Sequence, residues 1–443
     1  MLGMNRYQWL VLFAAWLGWG FDIFDALLFN LVAPNCVPTL LGMRIDDPGA
    51  RGAYLEWTAY MSALLLIGWA IGGIFFGKVA DHLGRTRTLM LTMLLYSLGT
   101  AACAFAPNIW VLALFRFVSS LGIGGEWAAG ASLVAEVVPD KRRVEAGAIL
   151  YTSAPMGLFL ASFVNEQIAG EWFAAHPETS WRYVFLCGLV PAAAAMAVRW
   201  FIHEPETWKQ ARAETRPPAI GELFGPEVRR LTFSGFAMAF TALICWWTCS
   251  SFIPAISTGL AEDHLASLGS ETRKEDVAEI QAVKEDWKAY GTNIFNVGGL
   301  LGTLLTVFFA KTLGRRPTFA IYFLGASLSL FSAFGLDLPP ERRIDTFFLL
   351  GLTVFGVFGM FTYYLPELFP TRLRATGSGF CYNVGRILTA AGPFLVGAVV
   401  RSQGHVGAMN VMKWVAVVPL IALMLLPWVI ETKDRGLDGG RQC

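Results

Sequence analysis

The amino-acid sequence predicts an all-α polytopic membrane protein, in which twelve transmembrane helices form two pseudo-symmetric six-helix bundles. Hydrophobic residues make up 55% of the chain and charged residues 15%, and the mean hydropathy is +0.52. Apolar runs of about 20 residues recur along the chain, and each can cross a bilayer core about 30 Å thick. A soluble chain of this length would spread its charges over its surface, whereas here they collect in short segments between the apolar runs.

The apolar runs are expected to be helices, because a lipid-exposed backbone must satisfy its own hydrogen bonds and the runs lack the alternation of a membrane β-strand. The first run, which begins at Trp9, is too long for the core of a signal peptide and lacks a small-residue cleavage site, so we assign it as a span. The predicted spans, in chain order, are 9–32, 57–76, 88–105, 109–134, 146–168, 181–201, 231–260, 290–310, 317–336, 346–365, 377–400 and 412–430.

A charged, proline-containing segment at 204–230 divides these spans into two sets of six. We expect it to be a cytoplasmic linker between an N-terminal bundle, residues 1–203, and a C-terminal bundle, residues 231–443. The segment 261–289 is the one long outer loop in this scheme, with twice as many acidic as basic side chains, and we expect it to form a short amphipathic surface helix with no assigned chemistry.

Landmarks of the first half recur in the second. The triplet LGR at 83–85 reappears at 313–315, and Glu136 reappears as Glu367, at a spacing of about 230 residues. An internal duplication in a membrane chain is typical of a transporter whose binding site lies between the repeats.

The distribution of basic residues predicts the orientation. With the amino terminus inside, the inner segments hold twice as many Lys and Arg residues as the outer segments. Both termini are therefore expected to face the cytoplasm, in a multi-pass protein of the inner or plasma membrane.

Composition also excludes several classes of function. The net charge of +1 and the absence of a concentrated basic face argue against nucleic acid as a partner. The 7 Cys are odd in number and lie mostly in predicted spans, which makes a disulfide framework improbable. No two His are spaced as a helical metal-binding pair, and no nucleophile–base set or phosphate-binding loop is visible, so we expect neither an enzyme nor a metal or other cofactor.

A short motif, GKVADHLGRTRTL, follows the second span. Its Gly77, Asp81, Gly84 and Arg85 resemble the loop between helices two and three of the major facilitator superfamily. The second-half copy, VFFAKTLGRRPT, has Lys311 where the first half has Asp81, which leaves Asp81 as the favoured gating residue.

Further resemblance to this superfamily lies in AEVVPDKRR and PELFPTRLRATG, and in RFVSSLGIGGEW, which looks like its fourth-helix motif. It implies alternating access by rocking of the two bundles, with charged contacts that break and re-form between states. The alternative is that these charges only end helices and fix the topology. Besides the four residues of the first loop, the resemblance gives a gating role to Glu136, Arg143, Arg315, Glu367 and Arg374.

A narrower resemblance is carried by AAWLGWGFDIFD, GIGGEW and YNVGRI. Together they are similar to the sialate and lactate proton symporters and to the neighbouring aromatic acid proton symporters, whose first helix carries a similar Asp-x-x-Asp. This resemblance implies proton-coupled uptake of a small organic anion. Sugar porters share the inner-loop motifs, so the loops alone do not separate the two groups.

Ionisable residues inside the spans are the candidates for proton coupling. Asp22 and Asp25 share one face of the first helix, where two carboxylates cannot both ionise cheaply, and Arg116 is expected at a similar depth. We expect one of the two acids, with Asp25 slightly favoured, to carry a proton, and the alternative is a static Asp–Arg brace. Glu126 is expected nearer the cytoplasm, as an inner gate, a second proton site or a brace.

Arg386 is expected near the bilayer midplane, in a half whose spans hold no other clearly central charge. A substrate carboxylate would satisfy its guanidinium through two hydrogen bonds, and Asn383 could add a donor. Capping of Arg386 by backbone carbonyls or by an acid of the other bundle is the alternative. Further expected cavity-lining or substrate-binding residues are Arg116, Asn293, Asn296, Tyr363, Tyr364, Trp246 and Trp247.

The sequence thus predicts a secondary active transporter that imports a small organic anion, such as lactate, sialate or an aromatic acid, together with protons. We expect it to work as a monomer in the lipid bilayer. The alternatives are a sugar-like neutral-solute porter and a substrate-sensing receptor on the same fold.

Overall fold

The computed structural model describes residues 4–83, 85–138, 142–194, 220–267, 277–369 and 374–433. Within these ranges all regular structure is helical and no strand is present, as predicted. Nine helices of this described part are long and apolar enough to cross a membrane. Three predicted spans are not among them: 88–105, which is helical but less apolar, 181–201, which runs beyond residue 194, and 377–400.

The first half of the structure, residues 4–194, is built from seven α-helices, and a short 3₁₀ turn and a helical segment at 190–194 follow the last of them. Asn5 caps the first helix, its side chain accepting a hydrogen bond from the backbone N–H of Gln8. The helices are α1 Arg6–Leu40, α2 Ala50–Leu83, α3 Arg85–Cys103, α4 Ile109–Val137, α5 Arg143–Tyr151, α6 Ser153–Asn165 continued by a π-helix at Glu166–Trp172, and α7 Pro177–Leu186 with a 3₁₀ turn at Cys187–Leu189.

The second half, residues 220–433, contains longer helices that are interrupted by 3₁₀ and π segments. The elements are a 3₁₀ helix Ile220–Phe224, α8 Arg229–Ser267, α9 Val277–Thr312, α10 Arg315–Gly335, α11 Pro340–Asp345, α12 Phe347–Leu350, a π-helix Gly351–Phe355, a 3₁₀ helix Gly356–Met360, α13 Phe361–Leu368, α14 Arg374–Thr389, α15 Ala391–Val415, α16 Val417–Leu425 and a 3₁₀ turn Leu426–Trp428.

The segment 261–289 is more ordered than the loop that we expected. Helix α8 continues to Ser267 and α9 begins at Val277, so most of the segment extends the two flanking helices, while 268–276 lies outside the described residues. The hydropathy pattern predicted spans that are too short. Polar side chains such as Glu285 lower the hydropathy, although they are buried against other helices. The division into bundles at 204–230 stays a prediction, since 195–219 also lies outside the described residues.

Within each half, glycines bring the helices of the second and fourth spans into close contact. A Cβ on Gly72 of α2 would lie 2.0 Å from the carbonyl oxygen of Leu121 in α4. In the second half, a Cβ on Gly298 of α9 would lie 2.1 Å from the carbonyl oxygen of Phe348 in α12. Only glycine permits such backbone contact between helices. The same device therefore joins the second and fourth spans of each half, as an internal duplication would produce.

The two halves meet along a few helix pairs. In the described residues α2 packs against α14 and α15, α6 packs against α9, and α1 packs against α8. These contacts place the inner faces of both halves around a shared central region.

Candidate functional site

A narrow cavity, with room for about one water molecule, lies between the two halves. Aromatic side chains form most of its wall, and Arg386 is the one charged residue among the described residues that line it. The lining comes from Trp19, Ile23, Trp69 and Tyr151 of the first half and from Leu243, Trp246, Trp247, Phe358, Tyr382 and Arg386 of the second.

Arg386 is held at this cavity by residues of both halves. Its guanidinium lies 4.1 Å from the ring centroid of Trp69 and 4.5 Å from that of Tyr382. Its Nη1 donates to Asn383 Oδ1 at 3.1 Å. The side chain is buried, and its Nε has no hydrogen-bond partner. A buried N–H donor without an acceptor is costly, so this guanidinium has unused capacity for an anion.

Arg116 and Asp25 lie close together, but the contact differs from the side-chain pair that we considered. Arg116 donates to the backbone carbonyl oxygens of Asp25, at 3.0 Å, and Ala26, at 2.7 Å. The Asp25 carboxylate instead accepts a hydrogen bond from Ser119 Oγ at 2.9 Å. Arg116 thus ties α4 to α1 through the backbone and does not line the cavity.

Glu126 lies beside the first helix, one turn from Asp22. A Cβ on Gly18 would lie only 1.8 Å from Glu126 Oε1. Asp22 interacts electrostatically with Glu126, Asp25 and Arg386. Helix rise places Glu126 nearer the cytoplasm than the two aspartates, but it does not give the direction in which the Glu126 side chain points. The structure shows that this side chain reaches Gly18, one turn before Asp22. The buried acids and Arg386 therefore belong to one cluster.

Four other residues that we expected at the cavity do not line it. Both polar atoms of the Asn296 side chain, and Oδ1 of Asn293, are buried without a hydrogen-bond partner. Tyr363 lies on the inner side, where its hydroxyl donates to the carbonyl of Thr306 at 3.5 Å and Arg315 lies 5.4 Å from its ring centroid. Tyr364 likewise donates inward, to the carbonyl of Ile430.

Where α9 ends and α10 begins, Arg315 forms an ion pair with Glu367 through two of its N–H groups. Its Nη2 and Nε donate to the carboxylate at 2.7 and 3.1 Å. The backbone N–H groups of Arg315 and Arg316 donate to Glu431. Burial opposes ionisation of Glu431, but these donors outweigh it and lower the pKa of the Glu431 carboxyl below its usual value. Two predicted gating residues, Arg315 and Glu367, thus act together within the second half.

An inner contact between the halves involves Lys311, the residue that replaces the motif aspartate. Its Nζ lies 2.6 Å from Glu145 Oε1 of α5. Glu145 is not among the predicted site residues, although it lies two residues after the basic cluster at 141–143.

The remaining predicted gating residues cannot be placed in detail. Gly84 lies outside the described residues, and the side chains at the other positions lie outside the described part of their helices. These positions are Gly77, Asp81, Arg85, Glu136, Arg143 and Arg374.

A polar cluster near the N-terminal end of α9 was also missed. Glu285 of α9 accepts hydrogen bonds from Asn35 at 3.2 Å, Asn165 at 2.6 Å and Gln281 at 2.7 Å. Lys288, three residues along α9, pairs with it at 2.5 Å. Acid and base at this spacing on a helix was the available signal, which we discounted because the segment was read as a surface loop.

A protein-family profile described as the Major Facilitator Superfamily matches residues 9–393 of the chain. Among curated relatives, a probable 4-methylmuconolactone transporter of Cupriavidus pinatubonensis is 28% identical over 96% of this chain and 91% of that protein. The sialic acid transporter NanX of Escherichia coli (strain K12) is 26% identical over 96% of this chain and 94% of that protein. A cis,cis-muconate transport protein of Acinetobacter baylyi is 27% identical over 78% of this chain and 79% of that protein.

The fold is also found among solved structures. The crystal structure of a D-xylose-proton symporter superposes with a TM-score of 0.73 at 17% sequence identity, covering 97% of this chain and 99% of that one. At this identity the likeness concerns the fold alone.

Proposed function

The chain belongs to the Major Facilitator Superfamily and is a membrane transporter rather than an enzyme, and we propose that it imports a small organic anion together with protons. The observation that supports an anionic substrate is the position of Arg386, a buried guanidinium whose Nε has no hydrogen-bond partner, at an aromatic cavity between the halves. A carboxylate can accept two parallel hydrogen bonds from a guanidinium, which a neutral hydroxyl cannot match.

The wall of the cavity favours an anion with a flat, unsaturated or aromatic body. Trp69 and Tyr382 flank the guanidinium, and Trp246 and Trp247 form an edge-to-face pair with ring centroids 4.7 Å apart. Rings of this kind pack well against planar groups. Relatives named for muconate and gentisate, both unsaturated carboxylic acids, agree with this substrate class.

Contacts at both ends support alternating access. The Lys311–Glu145 pair joins the halves at the inner side, and Asn165 and Asn35 hold Glu285 at the outer side. We assign both sets to a state in which the cavity is closed from both sides, with each set releasing in turn. Both termini face the cytoplasm in this proposal.

Proton coupling is assigned to the buried acids near Arg386, namely Asp22, Asp25 and Glu126. A buried acid can take up a proton from one side and release it to the other as water access alternates. The sugar-like porter remains the runner-up, because the sugar porters share the inner-loop motifs, and a receptor would bind the same ligands without flux.

The anion site is tested by ligand-induced stabilisation of the purified protein. We expect at least one of cis,cis-muconate, gentisate, sialic acid and lactate to raise the Tm of the wild type, because a ligand stabilises the state that it binds. Arg386→Ala should abolish this rise, and Arg386→Lys should keep part of it, since Lys retains the charge but lacks the planar fork. Arg44→Ala, which removes an exposed arginine, serves as the control. An unchanged rise in Arg386→Ala would remove Arg386 from the site.

Symport is tested by flux into proteoliposomes that hold the wild-type protein. An inward proton gradient should drive accumulation of the stabilising acid above equilibrium, and a protonophore should abolish the accumulation while leaving exchange measurable. D-Xylose is the control substrate and should not accumulate. Accumulation of xylose would favour the sugar-like porter, and binding without any flux would favour the receptor.

A further inference from the structure

We propose that Asp22 and Glu126 share one proton, and that Gly18 is the positioning residue that makes the shared site possible. Gly18 and Asp22 lie one turn apart on the same face of α1. Glu126 reaches this face from α4, where its Oε1 occupies the place of a Gly18 side chain, 1.8 Å from an ideal Cβ, and its Cδ lies 3.0 Å from that point. Any larger residue at position 18 would displace the carboxyl group.

Hydrogen-bond accounting favours a proton between the two acids. Both carboxyl oxygens of Glu126 and Oδ1 of Asp22 are buried without a hydrogen-bond partner, and the Tyr96 hydroxyl beside Glu126 can donate to only one of these three oxygens. Two ionised carboxylates are acceptors only, so they cannot satisfy each other, whereas one proton turns one of them into a donor. The other titratable or charged groups near Asp22 and Glu126 are Asp25 on α1, Tyr96 on α3 and Arg386 on α14.

Asp25 has a different environment, which makes it the weaker proton carrier. Ser119 donates to its carboxylate, and Arg116 binds its backbone carbonyl. These contacts hold Asp25 as part of a brace between α1 and α4. The slight preference for Asp25 that the sequence suggested is therefore reversed in favour of Asp22.

The pair also explains how proton and anion would be coupled, a step that rests on the proposed function. With one proton, the pair carries one negative charge, which balances Arg386. An anion bound to Arg386 neutralises the guanidinium, so the negative charge of the pair loses its counter-charge. A second proton on the pair then becomes favourable. By linkage, a proton on the pair favours anion binding to the same extent.

The shared proton is tested by infrared difference spectroscopy of the purified protein during a pH titration, which needs no substrate. The C=O stretching band of a protonated carboxyl should change its titration midpoint by about one pH unit or more in Asp22→Asn and in Glu126→Gln. Gly18→Ala should change the same band. Gly20→Ala is the matched control, because its Cβ would meet Ser153 at an ordinary 3.4 Å.

Two results would overturn the shared site. One is a titration midpoint of the band in Glu126→Gln that equals that of the wild type. The other is a change in midpoint in Asp25→Asn as large as that in Asp22→Asn. Glu126→Gln is close to isosteric, so it decides the matter even if Gly18→Ala does not fold. If the wild type binds no anion, the proposed function is contradicted, whereas the titration still tests the shared proton because it needs no substrate.

A second, independent observation concerns the outer cluster around Glu285, and we infer that it is the latch that closes the outer end. Lys288 Nζ donates to the carbonyl of Leu31 at 2.7 Å, and Asn35 and Asn165 donate to Glu285. All three contacts join α9 of the second half to the first half. Both charged side chains are almost fully buried.

The pairing of Glu285 with Lys288 makes this latch reversible. The two residues lie three positions apart on one helix, so they remain paired when the halves separate. Separation therefore breaks these three hydrogen bonds, and the one that Gln281 donates to Asn35 at 3.2 Å, without leaving a single uncompensated charge. A buried acid whose partner lay on the other half would be far costlier to release.

The latch is tested by labelling a cysteine at buried Ser162, one turn below Asn165, with a membrane-impermeant maleimide added from outside. In the Ser162→Cys background, Asn165→Ala should speed labelling about tenfold, since a hydrogen bond to a charged group is lost. Gln167→Ala, which removes an exposed hydrogen bond within the same helix, should leave the rate unchanged. Equal rates in Asn165→Ala and the parent, with both proteins folded by size-exclusion chromatography, would overturn the latch.

Discussion

The structure depends on the burial of one guanidinium charge between two apolar bundles. Removing a charged group from water is costly unless partners compensate for it. Arg386 has only partial compensation, from the Asn383 amide, two aromatic faces and the nearby Asp22. In the proposed function, the unfilled part of this requirement selects for anions, and the link to Asp22 provides a route for protons.

In the proposed transport cycle, the contacts at the two ends of α9 make this central charge accessible from one side at a time. Lys311 near its inner end pairs with Glu145 of α5, and Glu285 near its outer end is held by Asn165 of α6. Helices α5 and α6 follow each other along the first half and run antiparallel to α9. Rocking about the middle of this pair lengthens contacts at one end while it preserves those at the other.

Much of the fold and the central residue of the site were predictable from the sequence. Apolar length gave the helices, the recurrence of LGR gave the duplication, and Arg386 stood out as a midplane charge in the second half. The other contacts of the site depend on the direction in which each side chain points, as well as on its depth along the helix. Helix rise gave the relative depth of Glu126 but not its approach to Gly18, one turn before Asp22. Arg116 was considered as a partner of an Asp side chain, whereas it binds backbone carbonyls. Glu285 and Lys288 were missed because hydropathy treats buried polar residues as exposed.

The central claim is that one site binds the anion and the proton, each favouring the other. It is tested most directly by measuring proton uptake on anion binding, with calorimetry of the purified wild-type protein in buffers of different ionisation enthalpy. The account predicts net uptake of a proton from the buffer with each bound anion near neutral pH, decreasing as the pH falls and the pair is already protonated. Binding of the anion with no proton uptake at any pH would contradict it.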